Sequence, residues 1–292
     1  MNVFLEILHA SPALLICLSG MVGLMVGSFL NVVIYRLPIM MQRDWRRDCL
    51  AYLEMSDPEA APTEPFNLTL PLSRCPVCQA PIKPYQNIPV LSYVFLKGRC
   101  ANCQTKIAIR YPLVEALTGL CSVIVAWQIG FGGALLWSLV LTWVLIALSF
   151  IDFDQQLLPD SMTLPMLWLG LLLSEFGFFT QPDSSIIGAI AGYLSLWSVY
   201  QIFKLTTGKE GMGYGDFKLL AMLGAWLGWQ YLPLIVLLSS LTGAILGIGM
   251  IIFAKRERGL PMPFGPYLAI AGWIALLWGG KLNAMYLGFI GF

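Results

Sequence analysis

The chain has 292 residues, of which 58% are hydrophobic and only 11% charged. A soluble domain carries about a quarter charged residues, so these cannot cover a water-facing surface of this size, and the composition specifies a polytopic membrane protein. A net charge of +1 gives no global case for nucleic-acid binding, and the single histidine, His9, excludes a Ser-His-Asp triad in the body of the chain and an HExxH zinc protease.

A membrane-crossing helix needs about 20 mostly apolar residues. Eight stretches qualify in chain order: 13–35, 113–129, 134–151, 164–179, 186–203, 219–231, 234–254 and 267–282. The first lacks a basic leader, because Glu6 is the only charge before Arg36, and reads as a retained span rather than a cleaved signal. The sixth is short enough to be tilted, thin or re-entrant. An all-α membrane protein of about eight spans is expected, with residues 1–35 as the first span, 36–112 as a separate polar domain and 113–292 as the remaining membrane core.

Eight spans place the loops at 36–112, 152–163, 204–218 and 255–266 on one side. Those loops hold sixteen of the seventeen Lys and Arg residues, Lys281 being the exception, and the turns near Gly130, Gln181 and Gln230 hold none. By the positive-inside rule the charged loops are cytoplasmic and both termini face outward. Within 36–112, the stretch 57–71 reads as irregular. Neither a low-complexity tract nor an internal repeat is evident.

Four of the seven cysteines form two CxxC knuckles, Cys75-Pro-Val-Cys78 and Cys100-Ala-Asn-Cys103, separated by 21 residues. Each knuckle puts two sulfurs on one tight turn, and two facing knuckles make a four-thiolate zinc site. Four protein ligands leave no open position for water, so the site is expected to be structural. Cys17, Cys49 and Cys121 are expected to be unliganded, with Cys17 and Cys121 packed inside helices.

Carboxylates at membrane depth are functional candidates by default. One group is Asp152, Asp154 and Asp160, in the stretch Ile151-Asp-Phe-Asp-Gln-Gln-Leu-Leu-Pro-Asp160; the other is Asp216, preceded at alternate positions by Gly211, Gly213 and Gly215. Two carboxylates that share a proton can activate a water and protonate a carbonyl without any histidine. Asp152 lies deepest in its apolar run and is the stronger member of its group. Asp154 reads as a solvated charge, and Asp160 as the cap of the next helix. The glycines give a passing backbone room beside Asp216, or else make a flexible loop that Asp216 caps. Gly20, Gly23 and Gly27 allow close helix approach, either to a substrate helix or, more commonly, to a helix of the same chain.

On these residues the chain resembles the type IV prepilin leader peptidases, which are intramembrane aspartic proteases. The stretch Gly27-Ser-Phe-Leu-Asn-Val-Val-Ile-Tyr-Arg-Leu-Pro38 is similar to the family's first-helix signature. The two-knuckle loop, Asn87-Ile-Pro89, Tyr111-Pro-Leu-Val-Glu115, the IDxxxxLLPD stretch and Gly213-Tyr-Gly-Asp216 (the GxGD motif) follow in the family's order. The resemblance implies Asp152 and Asp216 as the catalytic pair, with Gly213 and Gly215 supporting the loop. It implies prepilin or type II secretion pseudopilin substrates, cut after a Gly at the cytoplasmic face of the bacterial inner membrane. It also implies N-methylation of the new terminus from S-adenosylmethionine, with Gly98 tied to that step; no GxGxxG fingerprint supports a methyl-donor fold. The basic leader of such a substrate fits Asp44, Asp48, Glu54, Asp57, Glu59 and Glu64 better than Arg43, Arg46 and Arg47. The competing readings are a transporter with intramembrane carboxylates, a presenilin-like protease (which the Ile before Asp152 disfavours) and a scaffold built on the cysteine loop.

Overall fold

A computed structural model describes residues 3–55, 65–253 and 263–290. These residues are helical apart from turns and two isolated β-bridges, and the chain divides into two compact units, Met1–Phe131 and Gly132–Phe292. Among the described residues, six helical segments are long and apolar enough to cross a membrane.

In the first unit, helix α1 (Val3–Ala10) leads into α2 (Pro12–Tyr52), followed by the short α3 (Leu91–Phe95) and then α4 (Arg110–Ile129). Helix α2 runs for 41 residues, about 60 Å and twice a bilayer's hydrocarbon thickness. The helix therefore continues well past residue 35, where the expected membrane span ends. Its polar end contains good helix formers and an Arg47–Asp44 pair at i, i+3, 3.0 Å apart, and the helix carries Pro38 in its interior.

The glycines of α2 face α4. A Cβ on Gly23 would lie 2.9 Å from the Thr118 carbonyl oxygen, and one on Gly27 would lie 2.8 Å from the Glu115 Cα. Gly20, Gly23 and Gly27 thus serve packing within the chain. Cys17 is exposed, on the other side of α2 from the buried Leu15, Ser19 and Gly23, so it does not pack inside the bundle as expected. Cys49 is exposed and Cys121 half-buried.

Residues 65–71 are irregular and wrap the buried Arg36. Its guanidinium donates to the Asn67 carbonyl (2.9 Å) and the Pro71 carbonyl (2.6 Å) and lies over the Phe66 ring. Asp57, Glu59, Glu64 and the cluster Lys255, Arg256 and Arg258 lie outside the described residues.

The second unit comprises α5 (Gly133–Gln155), α6 (Asp160–Glu175), α7 (Pro182–Thr207), α8 (Tyr214–Leu227), α9 (Leu232–Phe253) and α10 (Gly265–Ile290). Two of the expected spans, α6 and α8, have only 16 and 14 residues, about 24 and 21 Å. From Leu219 to Leu227 helix α8 is apolar all round, and every residue there is buried. Its backbone is surrounded by protein rather than lipid, so it need not match the bilayer thickness.

Helix α7 meets α8 almost backbone to backbone. Gly188 and Gly224 each stand against the other's carbonyl, and a Cβ on Gly192 would lie 2.7 Å from the Leu220 oxygen. Ser185 Oγ donates to the Ala225 carbonyl at 2.5 Å, and Trp226 Nε1 donates to the Met166 carbonyl of α6 at 2.7 Å. These contacts hold α8, and with it the Asp216 end, between its neighbours.

Candidate active site and cysteine cluster

Asp152 sits in the last turns of α5, and Asp216 in the first turn of α8. Both side chains are buried, at 6% and 7% exposure. The segments that carry them pack at Leu158, which lies against Gly215 on one side and against Gly265, the backbone donor to Asp152, on the other. The N-cap of α8 is Gly213, and Asp216 stands three residues on with its carboxyl set against the Gly213 backbone N–H.

The other two acids are placed differently. Asp154 lies on an exposed part of α5. Asp160 does not cap α6; Pro159 occupies that position, and both Asp160 oxygens accept from Lys218 Nζ at 2.7 Å. The ion pair draws the side chain across to α8, two residues beyond Asp216, and engages its carboxylate there.

The turn between α5 and α6 returns the chain through Gln156, which is left-handed (φ 51°) and donates its N–H to the Asp152 carbonyl at 2.8 Å. It delivers Leu158 into the interior at 7% exposure. A Cβ on Gly215 would lie 2.8 Å from Leu158 Cβ, so Gly215 is what lets Leu158 in. Among the described residues, the only atom within 4 Å of a Cβ at Gly213 is Asp216 Oδ2, at 3.9 Å, so this glycine leaves space next to the carboxyl.

The GxGD segment is steadied from α7. Lys204 Nζ donates to Glu210 Oε1 at 2.8 Å and to Tyr200 Oη at 3.3 Å. That ion pair lowers the Glu210 carboxyl below its usual range. Tyr200, Tyr214 and Phe217 form a ring cluster with centroids 5.5 to 5.6 Å apart.

Sequence reasoning missed Gly265. Its backbone N–H donates to Asp152 Oδ2 at 3.0 Å, across 113 residues of chain. The available signal was a glycine between two prolines, Pro263-Phe-Gly-Pro266, just before an apolar helix.

In the first unit the four knuckle cysteines converge. Cys75 and Cys103 sulfurs are 3.8 Å apart, Cys78 and Cys100 4.0 Å, and all four lie within 4.8 Å of one another. A tetrahedron with Zn–S bonds of 2.3 Å has S···S edges of about 3.8 Å, so the donor set fits a zinc ion. The knuckles are built alike. Gln79 N–H returns to the Cys75 carbonyl and Gln104 N–H to the Cys100 carbonyl, with φ of 58° and 60° at the two glutamines. Arg-Cys-x-x-Cys-Gln occurs at 74–79 and again at 99–104, a local repeat too short to register at the scale of whole helices.

Hydrogen bonds from the Thr105 side chain and backbone hold the Cys103 thiol down at about 6, and the Asn102 side chain lowers Cys78. The thiolate, the metal-binding form, is thereby favoured. Gly98 leads into the second knuckle with φ +66°, and a Cβ there would lie 2.9 Å from Tyr93 Oη. The knuckle's own geometry therefore calls for glycine at this position.

A family model described as the bacterial peptidase A24 N-terminal domain matches residues 21–129, and one described as the type IV leader peptidase family matches residues 139–248. The chain belongs to the type IV leader peptidase family. The prepilin leader peptidase/N-methyltransferase of Aeromonas salmonicida is 56% identical, over 99% of this chain and 100% of its own. That of Pseudomonas aeruginosa is 55% identical over 99% of each chain, and that of Neisseria gonorrhoeae 51% identical over 88% of each. No solved structure matches. With six segments able to cross a membrane, this family member is a multi-pass membrane protein.

Proposed function

We propose that the chain cuts the leader from prepilins or type II pseudopilins and then methylates the new amino terminus. The observation that carries the proteolytic reading is that two buried carboxyls, Asp152 and Asp216, stand on separate helices of the second unit whose ends pack at the same side chain, Leu158. Two such groups a few ångströms apart hold one proton between them. The ionised member takes a proton from water as it attacks the scissile carbonyl, and the protonated member donates to the carbonyl oxygen. Collapse of the tetrahedral adduct returns a proton to the leaving amine. The open space beside Gly213 gives an extended substrate segment room to lie against Asp216.

The charge pattern supports cutting at the cytoplasmic face of the bacterial inner membrane, with the 36–112 domain cytoplasmic and both termini periplasmic. That reading takes α6 and α8 as full crossings, α8 inside a protein sheath. Residues 1–35 and 113–292 form the membrane portion in this account.

Cys75, Cys78, Cys100 and Cys103 would hold zinc as a four-thiolate cross-link, which supplies folding energy rather than an open coordination position. Methylation would draw on S-adenosylmethionine, and it rests on the relatives' shared name. Gly98 would serve that step through the shape of the knuckle. The test is the intact mass of a prepilin incubated with the purified protein and S-adenosylmethionine. Loss of the leader plus about one methyl group of mass supports both activities. Loss of the leader alone removes the methylation half. No change, on a substrate that a relative does process, defeats the proposal.

A further inference from the structure

We infer that Gly265 is a positioning residue for Asp152, and that Leu158 sets the spacing between the segments carrying the two aspartates. The inference rests on the reading of Asp152 and Asp216 as the catalytic pair.

Gly265 is the first residue of α10, and its N–H has no partner within the helix. It donates to Asp152 Oδ2 at 3.0 Å, in a buried setting. A carboxyl is free to turn about its last bond, and anchoring one oxygen fixes the plane of the group. With Oδ2 held by the backbone, Oδ1 is the oxygen left for the chemistry.

The glycine is needed at that point. A Cβ on Gly265 would lie 2.7 Å from Asp152 Oδ2 and 3.2 Å from its Cγ. Any larger residue keeps the N–H but drives the carboxyl off its donor.

The same Cβ position lies 3.2 Å from Leu158 Cδ1, and the corresponding position on Gly215 lies 2.8 Å from Leu158 Cβ. One buried side chain is thus wedged between the glycine beside Asp152 and the glycine that precedes Asp216. Leu158 acts as a spacer whose width fixes how near the two carboxyl-bearing segments approach. Asp152 itself lies a short way upstream of Leu158 on the same connection, so α5, α8 and α10 meet at this leucine.

The experiment is steady-state cleavage of a prepilin by the full-length, detergent-purified protein, comparing wild type with Gly265→Ala, Leu158→Ala, the double variant and Asp152→Asn. Displacing a reacting group by about 1 Å costs on the order of a hundredfold. Gly265→Ala should therefore lower kcat by about 30- to 100-fold while KM stays within about twofold. Leu158→Ala should lower kcat at constant KM, and the double variant should be no better than Gly265→Ala alone, because the clash with Asp152 persists.

A Gly265→Ala protein with wild-type kcat overturns the inference while a dead Asp152→Asn leaves the catalytic pair standing. Recovery of Gly265→Ala by the second change also overturns it, by placing the clash on Leu158 rather than on the carboxyl. Cleavage by Asp152→Asn overturns the pair, and this inference with it. Should Gly265→Ala not fold, Leu158→Ala decides: a kcat loss at constant KM supports the spacer, and unchanged kcat refutes it.

Discussion

Substituting Gly224 by alanine tests the packing that holds α8 in place. The new methyl would stand against the carbonyl oxygen and carbon of Gly188 and the backbone nitrogen of Ala189. All three are backbone atoms and cannot swing aside as a side chain would. The helices must separate, and overpacking of this kind costs about 1–3 kcal/mol. At about 2–4 °C per kcal/mol for a chain of this order of size, the melting temperature should fall by about 2–12 °C. The separation moves the whole rigid helix, including Asp216 two turns away, so cleavage should fall with it. Gly177→Ala is the control. Gly177 has φ +64° and, among the described residues, no atom within 4 Å of where a Cβ would stand, so its substitution costs only the torsional strain of roughly 1–2 kcal/mol and leaves α8 where it is. Melting in detergent, followed by tryptophan fluorescence, and cleavage rate are measured on both variants. A Gly224→Ala protein with wild-type melting and wild-type cleavage would refute the backbone-to-backbone contact.

Metal analysis should find one zinc per chain, and chelation or Cys75→Ser should depress methylation more than proteolysis; equal loss of both would contradict a structural role for the site. Arg36→Ala leaves the Asn67 and Pro71 carbonyls without their donor and should loosen residues 65–71 by about 2–5 kcal/mol, read as new protease cleavage in that segment. The Asp160–Lys218 pair is half-exposed and contributes about 0–1 kcal/mol. Asp160→Asn should therefore stay folded and keep cleavage within about tenfold, and a folded but inactive protein would move the catalytic role to Asp160.

The sequence made legible whatever rests on local pattern. Runs of apolar residues marked the helices, the two CxxC turns marked the cluster, and an acid deep in an apolar run marked Asp152. What stayed hidden depends on partners far along the chain. Gly265 follows a loop that the charge count treated only as a carrier of lysine and arginine, and nothing local ties it to a carboxyl 113 residues earlier. The role of Asp160 was misjudged for the same reason. A cap is a local use of an aspartate, whereas Lys218 reaches it from α8. The full length of α2 was not legible because the apolar run stops at residue 35 while helix-forming polar residues carry on to Tyr52. The short α8 looked like an incomplete span because length is judged against lipid, and its surroundings are protein.

The measurement that tests the central claim most directly is cleavage of a prepilin by Asp152→Asn and Asp216→Asn, each checked for retained folding. An amide keeps the shape of the carboxyl but cannot share its proton. The account predicts that each folded variant leaves the leader uncut, and a folded variant of either kind that still removes it would contradict the account.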